Sequence, residues 1–135
     1  VVTDDPELQL AVSSIKTYAF EIVAYVAGNG SGAMGIAFGM HYSGTYNGSS
    51  SNFAATYGTA GQAYLTGNSV AASAFGSLTA ATVSSSSGSG YTAIIIKGTL
   101  SVTGTGTLAF SWGQNSASAT ALQVYPGSYM TLTPI

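Results

Sequence analysis

Period-two alternation restricts the fold of this chain more than any other feature. From Ala93 to Val102, Ile94, Ile96, Leu100 and Val102 share one face, interrupted only by Gly98, while Ala93, Ile95, Lys97, Thr99 and Ser101 take the other. This is the pattern of a half-buried strand. Thr17 to Val26 repeats it with Phe20, Ile22, Ala24 and Val26 on one side and Glu21, Val23 and Tyr25 on the other. Both of its faces are largely apolar, which predicts a central strand. Met34, Ile36, Phe38 and Met40 alternate with Gly35, Ala37, Gly39 and His41, and Leu8, Leu10 and Val12 mark a short strand. Further strands are expected around Asn52 to Thr56, Ala60 to Thr66 and Ser69 to Ala74. Tyr91 to Ile135 reads as four antiparallel strands, the hydrophobic half of a sandwich, with Ile94, Ile96, Leu108, Phe110, Trp112, Leu122 and Val124 as expected core. No segment has a helical period with caps at both ends, and turn signals recur roughly every 8 to 12 residues. The pattern predicts an all-β, antiparallel, jelly-roll-like sandwich of about eight or nine strands.

A length of 135 residues with 46% hydrophobic content suits one compact domain. Residues 1–6, acidic and interrupted by Pro6, read as an extended arm, and 7–135 as a single domain. The Ser84 to Gly90 stretch reads as a loop within it. Asp4, Asp5, Glu7, Glu21, Lys16 and Lys97 are the whole charged set, 4% of the chain, against roughly 25% in ordinary soluble domains. Such a surface suits permanent contact with copies of itself or a partner, because few ions need desolvating. It also leaves few charges to guard strand edges, so edges are expected to be closed by oligomer contacts. Two lysines and a net charge of −2 give no footprint for nucleic acid, which is bound through Lys and Arg displacing counterions. No apolar run is long enough for a membrane helix. Cysteine is absent, so neither disulfides nor thiolate metal sites are available.

The residues that could carry chemistry are few. His41 is the lone histidine, no Gly-x-Ser-x-Gly elbow is present, and a plain edge or interface role is the expectation for it. Asp4, Asp5 and Glu7 could partly supply a hard cation with oxygen ligands, but a solvated start to the domain is the expected reading. Glu21 is the only acid outside that cluster, which argues against the paired carboxylates of a glycosidase. Glycine runs such as Gly104-Thr105-Gly106 precede no helix that could hold an anion and are expected to be hairpin turns. No catalytic, cofactor or metal site is therefore assigned. Tyrosine offers rigid contact area with a polar tip, so Tyr42, Tyr46, Tyr57 and Tyr64 are the candidates for recognition, with a place in the core or a subunit contact as the competing reading. The bare strand face of Gly35, Ala37 and Gly39, or the outer face of Thr99 and Ser101, is the expected subunit contact.

Both ends of the chain resemble a family of small phage virion structural proteins. The opening Asp5-Pro6-Glu7-Leu8-Gln9-Leu10-Ala11-Val12 followed by Thr17-Tyr18-Ala19-Phe20-Glu21 is similar to that family's first strand pair. Lys97-Gly98, Thr107 to Trp112, Gln114-Asn115 and Gly127-Ser128-Tyr129 are similar to its closing strands. The likeness covers roughly half of the chain and leaves the middle from Tyr42 to Gly90 unmatched, as a scaffold with variable loops would. It implies a homotrimeric jelly roll without catalytic activity or cofactor, located on the virion and bound to the major capsid protein or another virion protein. A head decoration, or cement, protein is the first expectation from it. A receptor-binding tip of a tail fibre is the second, and a secreted carbohydrate-binding module is a third reading.

Overall fold

The computed structural model describes residues 3–28, 34–57, 69–76, 78–83, 92–114 and 122–135. They form ten strands: β1 (Thr3–Val12), β2 (Thr17–Gly28), β3 (Met34–Tyr42), β4 (Asn52–Tyr57), β5 (Ser69–Ala74), β6 (Thr79–Val83), β7 (Thr92–Ser101), β8 (Gly106–Gln114), β9 (Leu122–Val124) and β10 (Tyr129–Pro134). A single 3-10 turn, Gly48–Ser50, precedes β4 and is capped by the Asn47 side chain. Two antiparallel sheets pack as a β-sandwich. The first has the order β1-β8-β3-β6, the second β10-β2-β7-β4-β5, and β9 also pairs with β2.

The alternation read from the sequence is the alternation of the core. Phe20, Ile22, Ala24 and Val26 of β2, Ile94, Ile96 and Leu100 of β7, and Phe53 and Ala55 of β4 point inward from the second sheet. Ile36, Phe38 and Met40 of β3, Leu108 and Phe110 of β8, and Leu8 and Val12 of β1 meet them from the first. Trp112 and Val124 pack at the margin of this core, half-buried. As its two apolar faces predict, β2 is central, with β7 on one side and β9 and β10 on the other.

An aromatic cluster fills the space beneath Gly98. The register sets Gly98 opposite Phe20 of β2 and Phe53 of β4. A Cβ at Gly98 would press on the Asn52 carbonyl oxygen and come within 2.7 Å of Phe53 Cβ and 2.8 Å of Phe20 Cζ. Glycine lets the two rings close over the strand. Phe75, following β5, meets Phe20 at 5.7 Å and Phe53 at 5.8 Å, both edge-on, the arrangement that aromatic quadrupoles favour.

Several details differ from the sequence expectations. The four strands after Tyr91 do not make one half of the sandwich: β7 lies in the second sheet, β8 in the first, and β9 and β10 flank β2. The Gly104-Thr105-Gly106 run is accordingly no hairpin turn but a crossing between sheets. It docks on the segment after β3, with Thr103 N–H and Gly104 N–H both donating to the Thr45 carbonyl at 2.9 and 3.0 Å. Side-chain alternation reports which face of a strand is buried, not which strand lies beside it. A sixth strand, β6, lies in a stretch where no strand was expected. The strand expected at Ala60 to Thr66, and the Ser84 to Gly90 loop, lie outside the described residues.

The arm expected over residues 1–6 is, from Thr3 onward, part of β1. Thr3 and Asp4 pair with Trp112 and Ser111, and Gln9 resumes the ladder opposite Ala109. Asp5 to Leu8 are thus bulged out between those positions. Pro6, which has no N–H to give to a ladder, sits in the bulge. Asp5 is not solvated as expected but 7% exposed. Its Oδ1 accepts from the N–H groups of Glu7 and Leu8, each at 2.9 Å, and its Oδ2 accepts from Trp112 Nε1 at 2.9 Å. One carboxylate therefore shapes the bulge and ties it to β8, and the requirement that a buried charge be hydrogen-bonded is met.

Candidate functional site

Because Ile36, Phe38 and Met40 face the core, alternation turns Gly35, Ala37 and Gly39 to the outer face of the first sheet. Their neighbours on β8 are equally small: Ala37 pairs with Gly113, and Gly39 with Ser111. At these paired positions the outer face carries no side chain larger than serine. Three strands contribute a polar cluster beside them. Asp4 of β1 accepts from Ser111 Oγ of β8 at 2.5 Å through Oδ1, and its Oδ2 lies 2.8 Å from His41 Nδ1 of β3.

Burial pushes the Asp4 carboxyl up, but the hydrogen bond from Ser111, that with His41 and the nearby imidazole together outweigh it and hold the group below its ordinary value. The order of the three groups matters chemically. A nucleophilic relay places histidine between serine and carboxylate; here the carboxylate stands in the middle and the serine bonds to it. The arrangement links three strands and leaves the serine bonded to a carboxylate rather than to an imidazole. Beside it lies an open depression of about 450 Å3 bordered by Thr3, Gly39, Met40, Gly76 and the exposed Leu78. Among the described residues no group of three His, Asp or Glu side chains converges as a metal site would.

The other residues singled out from sequence are scattered. Tyr42 is 4% exposed, and its hydroxyl donates to the Gly104 carbonyl at 2.6 Å; burial, then the neighbouring Tyr18, pushes its pKa up. Tyr46 is half-buried, 6.2 Å from the Tyr42 ring and 5.4 Å from Phe75. Both support the core and the inter-sheet crossing, and the burial of Tyr42 favours the core reading of the two offered for it. Tyr57 ends β4 opposite Ile94, and Tyr64 lies outside the described residues. On the outer face of the second sheet, Thr99 Oγ1 donates to the Ser50 carbonyl at 3.2 Å, and Ser101 Oγ accepts from Thr17 Oγ1 at 3.3 Å. Glu21 and Lys97 form a solvent-exposed pair at 3.7 Å on that face, an interaction worth roughly 0 to 1 kcal/mol.

Sequence reasoning missed the roles of Asp4, Asp5, Ser111 and Trp112. The only local signal was the Asp-Pro dipeptide, which marks a turn or bulge; the partners lie 107 residues away. No protein-family model, curated protein or solved structure matches this chain.

Proposed function

We propose that this chain is a non-enzymatic structural protein of a bacteriophage virion, a trimeric jelly roll that serves as a head decoration protein and stabilises the shell by bridging subunits of the major capsid protein. The strand orders β1-β8-β3-β6 and β2-β7-β4-β5 fit a jelly roll of two interleaved Greek keys, an architecture that viral capsid domains share with lectins and cupins. A fold alone does not define a function. The observation that carries the reading is the outer face of the first sheet, where Gly35, Ala37, Gly39 and Gly113 put no side chain larger than a methyl group on neighbouring strands. Among the described residues, Asp4 and His41 are the ionisable pair on it. Docking such a face desolvates few ions and freezes few side chains, so little opposes the gain from buried area. The end motifs that resemble phage virion proteins supply the location.

Sedimentation of the full chain and of Ala37→Arg tests the assembly. The native chain is expected as a trimer at micromolar concentration, and the variant as a folded monomer, since an arginine on this flat face cannot be buried unpaired. A native monomer refutes the proposed assembly. Copy number in the intact particle separates this reading from a receptor-binding fibre tip on the same scaffold: a decoration protein follows the capsid lattice, whereas a tip is present at only a few copies per tail.

A further inference from the structure

We propose that the seam between the β1 bulge and the turn joining β9 to β10 is a binding cleft for a neutral oligosaccharide, with Trp112 as stacking platform and Glu7 and Gln123 as its hydrogen-bonding rim. The two sheets approach each other along this side, β1 against β10. The bulge carries Asp5 to Leu8 out of the ladder and leaves a groove of about 840 Å3 between Pro6 and Glu7 on one wall and Gln123 to Ser128 on the other. That volume lies within the range of small-ligand sites and accommodates several sugar rings rather than one.

Both walls are fixed before any ligand arrives. Asp5 holds the Trp112 indole by its Nε1 hydrogen bond and holds the bulge by two backbone N–H groups. On the other wall, Tyr125 N–H donates to the Tyr25 carbonyl at 2.8 Å. Ser128 Oγ accepts from Tyr25 N–H at 2.9 Å and donates to the Tyr125 carbonyl at 2.8 Å. Gly127 supplies the turn with a φ of 96°. Such preorganisation lowers the entropic cost of binding. Trp112 packs against the core and also lines the groove, as does Tyr125.

The chemistry of the lining selects the ligand. No cation borders the groove among the described residues, which disfavours phosphorylated or acidic sugars. Asp5 is buried and already accepts from three internal donors, so Glu7 is the exposed carboxylate of the lining, and the exposed Gln123 adds an amide that both donates and accepts. An aromatic platform beside a carboxylate and an amide matches the apolar C–H face and the hydroxyl edge of a pyranose. A basic peptide could use Trp112 and Glu7 alone, but would leave the neutral rim unused.

Trp112 is the only tryptophan, so its fluorescence reports on this cleft and nowhere else. The full chain is titrated with neutral oligosaccharides of glucose, galactose, mannose and N-acetylglucosamine, with each parent monosaccharide, and with tetralysine. A saturable shift in emission is expected with at least one oligosaccharide, and a weaker response with its monosaccharide. Glu7→Ala and Gln123→Ala, at exposed positions that leave the melting temperature unchanged, should each weaken binding about tenfold. No saturable response to any oligosaccharide overturns the proposal, as does a response untouched by both substitutions. A response to tetralysine alone overturns it in favour of a basic peptide.

Discussion

Replacing Gly98 with alanine adds one methyl group at a crowded point over the aromatic cluster. An isolated strand would gain from the change, since alanine is favoured over glycine in strand interiors by roughly 0.5 to 1 kcal/mol. The site does not allow that gain. The new methyl would meet the Asn52 carbonyl, Phe53 Cβ at 2.7 Å and Phe20 Cζ at 2.8 Å. The Phe20 ring tip can swing, but Asn52 and Phe53 are held by the β4 to β7 register. Overpacking of a dense core costs about 1 to 3 kcal/mol, and a clash with backbone belongs at the upper end. The net expectation is a loss of about 2 kcal/mol, the overpacking cost less the propensity gain. Urea unfolding measures it. With a slope of roughly 1 to 3 kcal/mol per molar for a domain of this size, the midpoint should fall by about 1 M. Gly48→Ala is the control, because a Cβ there meets nothing within 4 Å, and its unfolding free energy should stay within about 0.5 kcal/mol of the native value. A Gly98→Ala midpoint at or above the native one would show that the rings do not require a bare strand beneath them.

Asp5→Ala strands the N–H groups of Glu7 and Leu8 and the Trp112 indole; a loss of about 3 kcal/mol is expected in urea unfolding, with Asp5→Asn intermediate, and equal stability of all three proteins would refute the anchoring role. Asp4 gives a pH dependence of defined sign. Its folded pKa lies below the unfolded value of about 3.9, so its contribution is fully present above that value and is lost as pH falls through the lower folded one. The acid-side decline in the urea midpoint should be shallower in Asp4→Asn, and identical profiles would contradict the three-strand link.

What the sequence disclosed and what it withheld divide along a physical line. The faces of β2, β3 and β7 were legible because each is a long run in which bulky and small or polar residues alternate, and Ile36, Phe38, Ile94 and Ile96 are fully buried as that pattern requires. Even β5 emerged at Ser69–Ala74. In contrast β6, with the sequence Thr-Ala-Ala-Thr-Val, has no size contrast to reveal it, and only its pairing with β3 defines it. Sheet membership was not legible either, since the turn after Val102 looks the same whether the chain folds back on itself or crosses the sandwich. Tyr42 and Tyr46 illustrate a further ambiguity: a ring with a hydroxyl suits a binding surface and a core with one nearby carbonyl equally well. Asp5 looked solvated because nothing within ten residues of it announces Trp112.

The strand order also sets how this chain must find its structure. Among the described strands, β4 with β5 is the one pairing that joins neighbours in the chain; β1 reaches β8, β2 reaches β7, and β10 returns to β2. Thr17 and Ser101, 84 residues apart, sit side by side. Long loops must close before most of the ladders can form, so conformational entropy is lost well ahead of the compensating contacts. Folding should therefore fall in the slow class of β-sandwiches, from milliseconds to seconds. During that interval apolar strands such as β2 and β7 lie unpaired, with almost no charge to keep one copy from another, and the yield of native protein becomes a race between closing those loops and meeting a second chain.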